Sequence, residues 1–149
     1  MGKVYDQVKM FKAKYPGTIT WFRLRSHAKV VEMHLNAAEE PIYTFAGQLN
    51  ENNLDIIDTG VICVTNKRIL IGQKNLIFGY NLNSITPDLY NDMQVYAGAI
   101  FGLVTIDTIK EVINISNIDK KALPEIETAI SSFMMEEKKK YAPHRQEEK

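Results

Sequence analysis

Gly60-Val-Ile-Cys-Val-Thr-Asn-Lys-Arg-Ile-Leu-Ile71 is the stretch on which the reading of this chain turns. Two apolar runs flank the four polar residues Thr65-Asn66-Lys67-Arg68. A polar interruption this short, between runs rich in β-branched residues, predicts two antiparallel strands joined by a tight turn.

Outward from this hairpin the same grammar repeats. From Ile42 the apolar period is two, and turn signals recur at the spacing expected of short antiparallel strands. Seven strands are expected, at about 42–49, 56–65, 68–73, 76–82, 92–97, 100–108 and 111–116. The fourth shows the cleanest alternation, with Leu76, Phe78, Tyr80 and Leu82 on one face and Ile77, Gly79 and Asn81 on the other. Asn66-Lys67, Lys74-Asn75, Gly98 and Lys110 sit where hairpin turns are required. Only Asn83 to Asn91, which contains Pro87, makes a longer link. Consecutive hairpins with one longer crossing predict two orthogonal sheets rather than one flat meander.

Before Ile42 the period is helical. Val4, Val8, Phe11 and Tyr15 fall on one stripe, with Lys9, Lys12 and Lys14 mostly to the side or opposite, and Pro16-Gly17 ends the segment. A second helix is expected to start near Thr18 or Thr20, either of which can cap it, and to carry Trp21, Leu24, Ala28, Val31 and Leu35 on one face. Residues 1–41 therefore read as a helical hairpin that must pack on the rest of the chain or on another copy. Near the other end, Leu123, Ile126, Ile130, Phe133 and Met134 define a closing helix, with Pro124 suited to its first turn and Asp119 available to cap what precedes it. The polar residues 139–149 are expected to form a tail too hydrophilic to pack.

The 149 residues are 45% apolar and 24% charged, with 18 basic side chains against 18 acidic ones. A chain of this size buries enough surface to fold as one domain without a disulfide or metal staple. Cys63, the single cysteine, agrees with that. No run approaches the roughly 18 apolar residues of a membrane-spanning helix, and no secretory or myristoylation signal is present, so a cytoplasmic location is the expectation. The neutral total hides an asymmetry: residues 1–41 carry seven cations and four anions, and residues 42–117 carry four cations and seven anions. The two parts can attract one another, or the first can meet an anionic partner.

Seven strands in a four-then-three order with one closing helix resemble the pleckstrin-homology superfold. The run Gly60 to Ile71, with Thr65-Asn66-Lys67-Arg68 between apolar strands, is similar to the corresponding hairpin of the bacterial pleckstrin-homology-like domains, and the likeness continues through Leu82 to Ile85. The resemblance covers about residues 42–138 and implies a mainly β member of the α+β class: a barrel of seven antiparallel strands capped by a C-terminal helix. It also implies a binding or assembly module, often oligomeric. The sequence departs from the phosphoinositide-binding pattern, because Asn50-Glu-Asn-Asn-Leu-Asp55 in the first hairpin loop holds two carboxylates and no cation.

Candidate residues are few. Val4, Val8, Lys9, Phe11, Lys12, Tyr15 and Trp21 form a basic amphipathic surface that could lie on an anionic membrane or meet another protein, although packing on the chain's own strands or on a second copy explains the stripe better. Lys67 and Arg68 could bind an anion, but a turn residue and an Arg bonding across the hairpin or to a neighbouring carboxylate account for them better. His27 and His34 share a helix side without enough companions for a zinc site, and Cys63 reads as a small core residue. Phosphate loops, nucleophile elbows and metal-binding His-x-x-x-His spacings are missing, so no enzyme, cofactor or metal is expected. The acidic strand region argues against a nucleic-acid partner. A non-enzymatic module that works through protein contact, most simply self-association through the N-terminal hairpin, is the leading expectation; a peripheral membrane module is the alternative.

Overall fold

A computed structural model describes residues 2–20, 23–50 and 57–140. Its elements are α1 (Lys3–Lys14), α2 (Leu24–Met33), β1 (Pro41–Gln48), β2 (Thr59–Thr65), β3 (Ile69–Lys74), β4 (Tyr80–Ile85), β5 (Tyr90–Ala97), β6 (Gly102–Thr108), β7 (Val112–Ile118), a 3-10 turn at Lys120–Ala122, and α3 (Leu123–Lys139). The strands lie in the order β4-β3-β2-β1-β7-β6-β5, and every neighbouring pair is antiparallel. The four-then-three plan is therefore present. The two expected sheets are two runs of one continuous sheet, joined at the single register pair Gln48 with Ser116.

Two cores follow from the apolar patterning. Between the runs, Phe45, Ile62, Val64, Ile69, Ile106 and Ile115 pack with Leu123, Ile126, Ile130 and Met134 of α3. On the outer face, Val4 and Val8 of α1 and Ala28 and Val31 of α2 pack on Ala46, Val61, Cys63 and Leu70. Strand β2 is buried on both faces, which is why its sequence is continuously apolar rather than alternating. Phe11 and Tyr15 reach past the outer layer into the inner core. The N-terminal hairpin thus packs on its own chain. Each buried Val or Phe of its stripe contributes about 1.5–3 kcal/mol relative to exposure. Lifting the hairpin off would consume much of the roughly 5–15 kcal/mol that holds a whole domain folded.

Two expectations need correction. The fourth strand begins four residues later than the alternation suggested. Register from Ile69 with Ile85 to Lys74 with Tyr80 brings Ile85 into the inner core, while Tyr80, Leu82 and Ser84 turn toward the helical side. Residues 75–79 become a hairpin tip instead, closed by the Asn75 amide donating to the Gly79 carbonyl at 3.0 Å. Gly79 adopts φ +72°, a conformation that costs a residue without Cβ nothing. The second correction concerns α2, which is not capped by Thr18 or Thr20. The Ile19 amide donates to the Asn117 carbonyl at 2.8 Å, and the Thr18 hydroxyl accepts the Asp119 amide at 2.9 Å. These bonds fasten the segment to the end of β7 and deny it the helical conformation.

Helix α2 approaches the sheet closely at Gly72 of β3. A Cβ there would lie 2.7 Å from Val31 Cγ2 and 3.2 Å from the His27 carbonyl oxygen. Gly72→Val is expected to push α2 off the sheet and to destabilise the chain by about 1–3 kcal/mol, the usual cost of overpacking. Urea unfolding monitored by circular dichroism measures it, and an unchanged midpoint would refute the close fit.

Candidate functional site

Arg68 is the best-bonded cation among the described residues. Its Nε donates to Glu39 Oε2 at 2.9 Å and its second terminal nitrogen to Glu39 Oε1 at 2.9 Å. The same guanidinium reaches Ser84 Oγ at 3.0 Å and the His34 carbonyl at 3.0 Å. Glu39 is buried and also accepts from the Thr65 hydroxyl at 2.7 Å and the Asn36 amide at 3.1 Å. Burial alone would raise the Glu39 carboxyl, but bonds from Arg68, Thr65 and Asn36 outweigh it and hold the group at about 2. The Thr65 hydroxyl accepts the amides of Lys67 and Arg68, both at 3.0 Å, and so builds the turn. The motif that marked the fold is a clamp between the β2–β3 turn, β4 and the chain leaving α2. Lys67 is exposed at the turn.

The residues singled out on the first helix separate. Val4, Val8, Phe11 and Tyr15 are buried in the chain's own cores. Lys9 is exposed, with its ammonium 5.0 Å from the centre of the Tyr5 ring. Lys12 is half-buried, donates to the Thr18 carbonyl, and has its pKa lowered by burial. Trp21 lies outside the described residues. At the end of α1, Glu125 of α3 accepts from Lys14 at 2.6 Å, Tyr43 at 2.8 Å and Tyr15 at 3.1 Å. These bonds outweigh burial and lower the Glu125 pKa, tying the hairpin to the closing helix.

The two histidines are structural partners rather than a pair. His27 Nδ1 accepts the Lys74 amide at 2.8 Å, and burial, aided by the Arg23 charge, pushes its pKa down to about 4. His34 Nδ1 lies 2.7 Å from the Val30 carbonyl and its Nε2 lies 3.2 Å from the Tyr80 hydroxyl. No cluster of His, Cys, Asp and Glu able to hold a metal occurs among the described residues. Cys63 lies beneath the helical hairpin, where burial pushes its thiol up to about 12 and leaves it unreactive.

The feature that sequence reading missed is at the end of the sheet opposite α3. A cleft of about 540 Å³ opens there between the ends of β1 and β3 and the starts of β4 and β7. Its polar lining is mostly amide: Asn50, Gln73, Asn81, Asn83 and Asn114, with the carboxylate of Glu111 and no cation among the described residues. Ile71 and Ile113 contribute its apolar floor. Beside it stands the 75–79 tip, with Leu76, Ile77 and Phe78 exposed by 62%, 78% and 84%. Asn81 Nδ2 joins the two features, donating to Asn75 Oδ1 at 3.1 Å and Gln73 Oε1 at 3.4 Å. Asn75 and Gly79 bracketing three residues were the signal for a turn, but the apolar alternation across them outweighed it. Such a surface can bind; it offers no nucleophile paired with a base, and the lining gives an anionic headgroup no cationic partner.

A helix-capped, seven-stranded antiparallel sheet with a polar open end defines a pleckstrin-homology-like scaffold. The chain belongs to the bacterial PH domain family, whose model matches residues 35–132. Two crystal structures are similar in fold. One is a DUF1696 family protein with a pleckstrin-homology domain from Shewanella loihica PV-4, at 13% identity and TM-score 0.47, covering 76% of this chain and 99% of its own. The other is a pleckstrin homology domain from Shewanella amazonensis SB2B, at 14% identity and TM-score 0.49, covering 84% of this chain and 98% of its own. No curated protein matches the chain. No helix of the described residues is long and apolar enough to cross a membrane.

The clamp has a pH signature. The Glu39 carboxyl titrates near 4.5 unfolded and at about 2 folded, so its contribution is complete above pH 4.5 and is lost as pH falls through 2. Stability of Glu39→Gln is expected to be lower at neutral pH by about 3–5 kcal/mol, the cost of breaking a buried ion pair, and to decline less between those pH values. Parallel wild-type and variant slopes in urea unfolding across that range would contradict the clamp. His27 acts in a separate window: its unfolded value of 6.5 falls to about 4 in the fold, so its contribution is complete above 6.5 and disappears toward 4. His27→Gln is expected to remove the stability loss between those values, read from the same titration.

Proposed function

We propose that this chain is a non-enzymatic binding and assembly module that works through protein contact, with self-association as its simplest form. The observation that carries this reading is the tip Leu76-Ile77-Phe78, three consecutive large apolar side chains held out in solvent on a closed hairpin. Soluble monomers rarely keep a contiguous apolar patch uncovered unless something binds it. Covering one such side chain is worth about 1.5–3 kcal/mol, so the tip can anchor a contact of moderate strength.

In this reading the contact is made by the tip rather than by the α1 stripe that the sequence suggested. Val4, Val8, Phe11 and Tyr15 already cover the chain's own strands, so α1 could lay that stripe on a second copy or a membrane only by leaving the sheet. Membership of the PH-domain family and the cation-free lining of the open end support a binding role other than inositol-phosphate capture.

Light scattering on the purified chain is expected to give a mass above the 17.0 kDa monomer. Ile77→Ser with Phe78→Ser is expected to return it to the monomer without altering the circular-dichroism spectrum, because neither side chain packs in either core. A monomeric wild type at high protein concentration would reject self-association.

A further inference from the structure

We infer that the amide-lined cleft at the open end is the socket for the 75–79 tip of a second copy, so that two chains exchange tips across a two-fold axis. This rests on the reading of self-association above and names its surface. Tip and cleft lie at the same end of the chain, linked through Asn75, Asn81 and Gln73. Two chains meeting end to end can therefore each present a tip where the other presents a cleft, which is the self-complementarity a two-fold contact requires.

The chemistry of the two parts matches. A hairpin tip brings apolar side chains together with peptide N–H and carbonyl groups. The cleft supplies an apolar floor at Ile71 and Ile113 and carboxamides that can donate and accept. The Asn83 carboxamide has no hydrogen-bond partner among the described residues, so that donor and acceptor are free for a guest. At about 540 Å³ the cleft lies within the range of about 300–1,000 Å³ typical of binding pockets. Charge agrees as well: Lys74 flanks the tip, Glu111 edges the cleft, and neither forms an ion pair among the described residues.

The test uses complementary variants of the full chain. Phe78→Ser damages the tip and leaves the cleft intact. Asn83→Trp fills the cleft and leaves the tip intact, with Asn83→Lys as a second cleft variant in case tryptophan disturbs β4. Each variant alone is expected to weaken self-association by at least about tenfold, the loss of one well-buried side chain. An equimolar mixture of Phe78→Ser with a cleft variant is expected to recover a heterodimer in sedimentation velocity, since one intact tip still meets one intact cleft. If the folded cleft variants assemble as well as the wild type while Phe78→Ser does not, self-association stands and the socket is wrong. If both kinds of variant are monomeric and their mixture recovers no heterodimer, tip exchange is likewise overturned. A monomeric wild type removes both readings.

Discussion

The outer face of β1, β2 and β3 carries apolar side chains of its own, and covering it is the constraint on which the rest of the structure depends. Ala46, Val61, Cys63 and Leu70 would otherwise meet water, and Val4, Val8, Ala28 and Val31 are what cover them. Gly72 lets α2 approach closely enough to do so. Arg68 and Glu39 then fasten the chain leaving α2 to the β2–β3 turn. A buried ion pair contributes little over an apolar substitute but is costly to break by one partner, so its role is to fix the hairpin's position. Both helices are thereby committed to the sheet, and their apolar stripes are buried against it.

The two ends of the inner core differ in kind. Beside α3 the core is closed by Leu123, Ile126, Ile130 and Met134. At the other end the inward-facing pairs Ile71 with Asn83 and Gln73 with Asn81 turn progressively from apolar to amide. Amides at a mouth keep it wet and give a guest directional bonds without demanding a charge. That distinguishes this end from a phosphate-binding mouth, where Arg and Lys would meet anionic oxygens.

Much of this was legible in the sequence, for identifiable reasons. The helical and strand periods located the two cores because burial enforces them, as at Val4, Val8 and Phe11 and at Ile62 with Val64. The Thr65 to Arg68 turn was legible because its chemistry is local. The sequence offers Arg68 a bond across the hairpin or to a neighbouring carboxylate, but no spacing rule could name Glu39, which lies 29 residues away. The start of β4 was misplaced because alternation in Leu76, Phe78 and Tyr80 is indistinguishable from a strand until register with β3 is known. The cleft was illegible for a related reason: Asn50, Gln73, Asn83 and Asn114 come together only through the fold.

The commitment of the helical hairpin to its own sheet is tested most directly by native-state hydrogen exchange of the full chain. If α1 and α2 are part of the cooperative fold, the amides at Val8, Phe11, Ala28 and Val31 will exchange only with an opening energy close to that of Ile62 and Val64 in β2. Exchange at the helical positions through a much cheaper local opening, with β2 still protected, would show that the hairpin detaches and would return its apolar stripe to the surfaces available for binding.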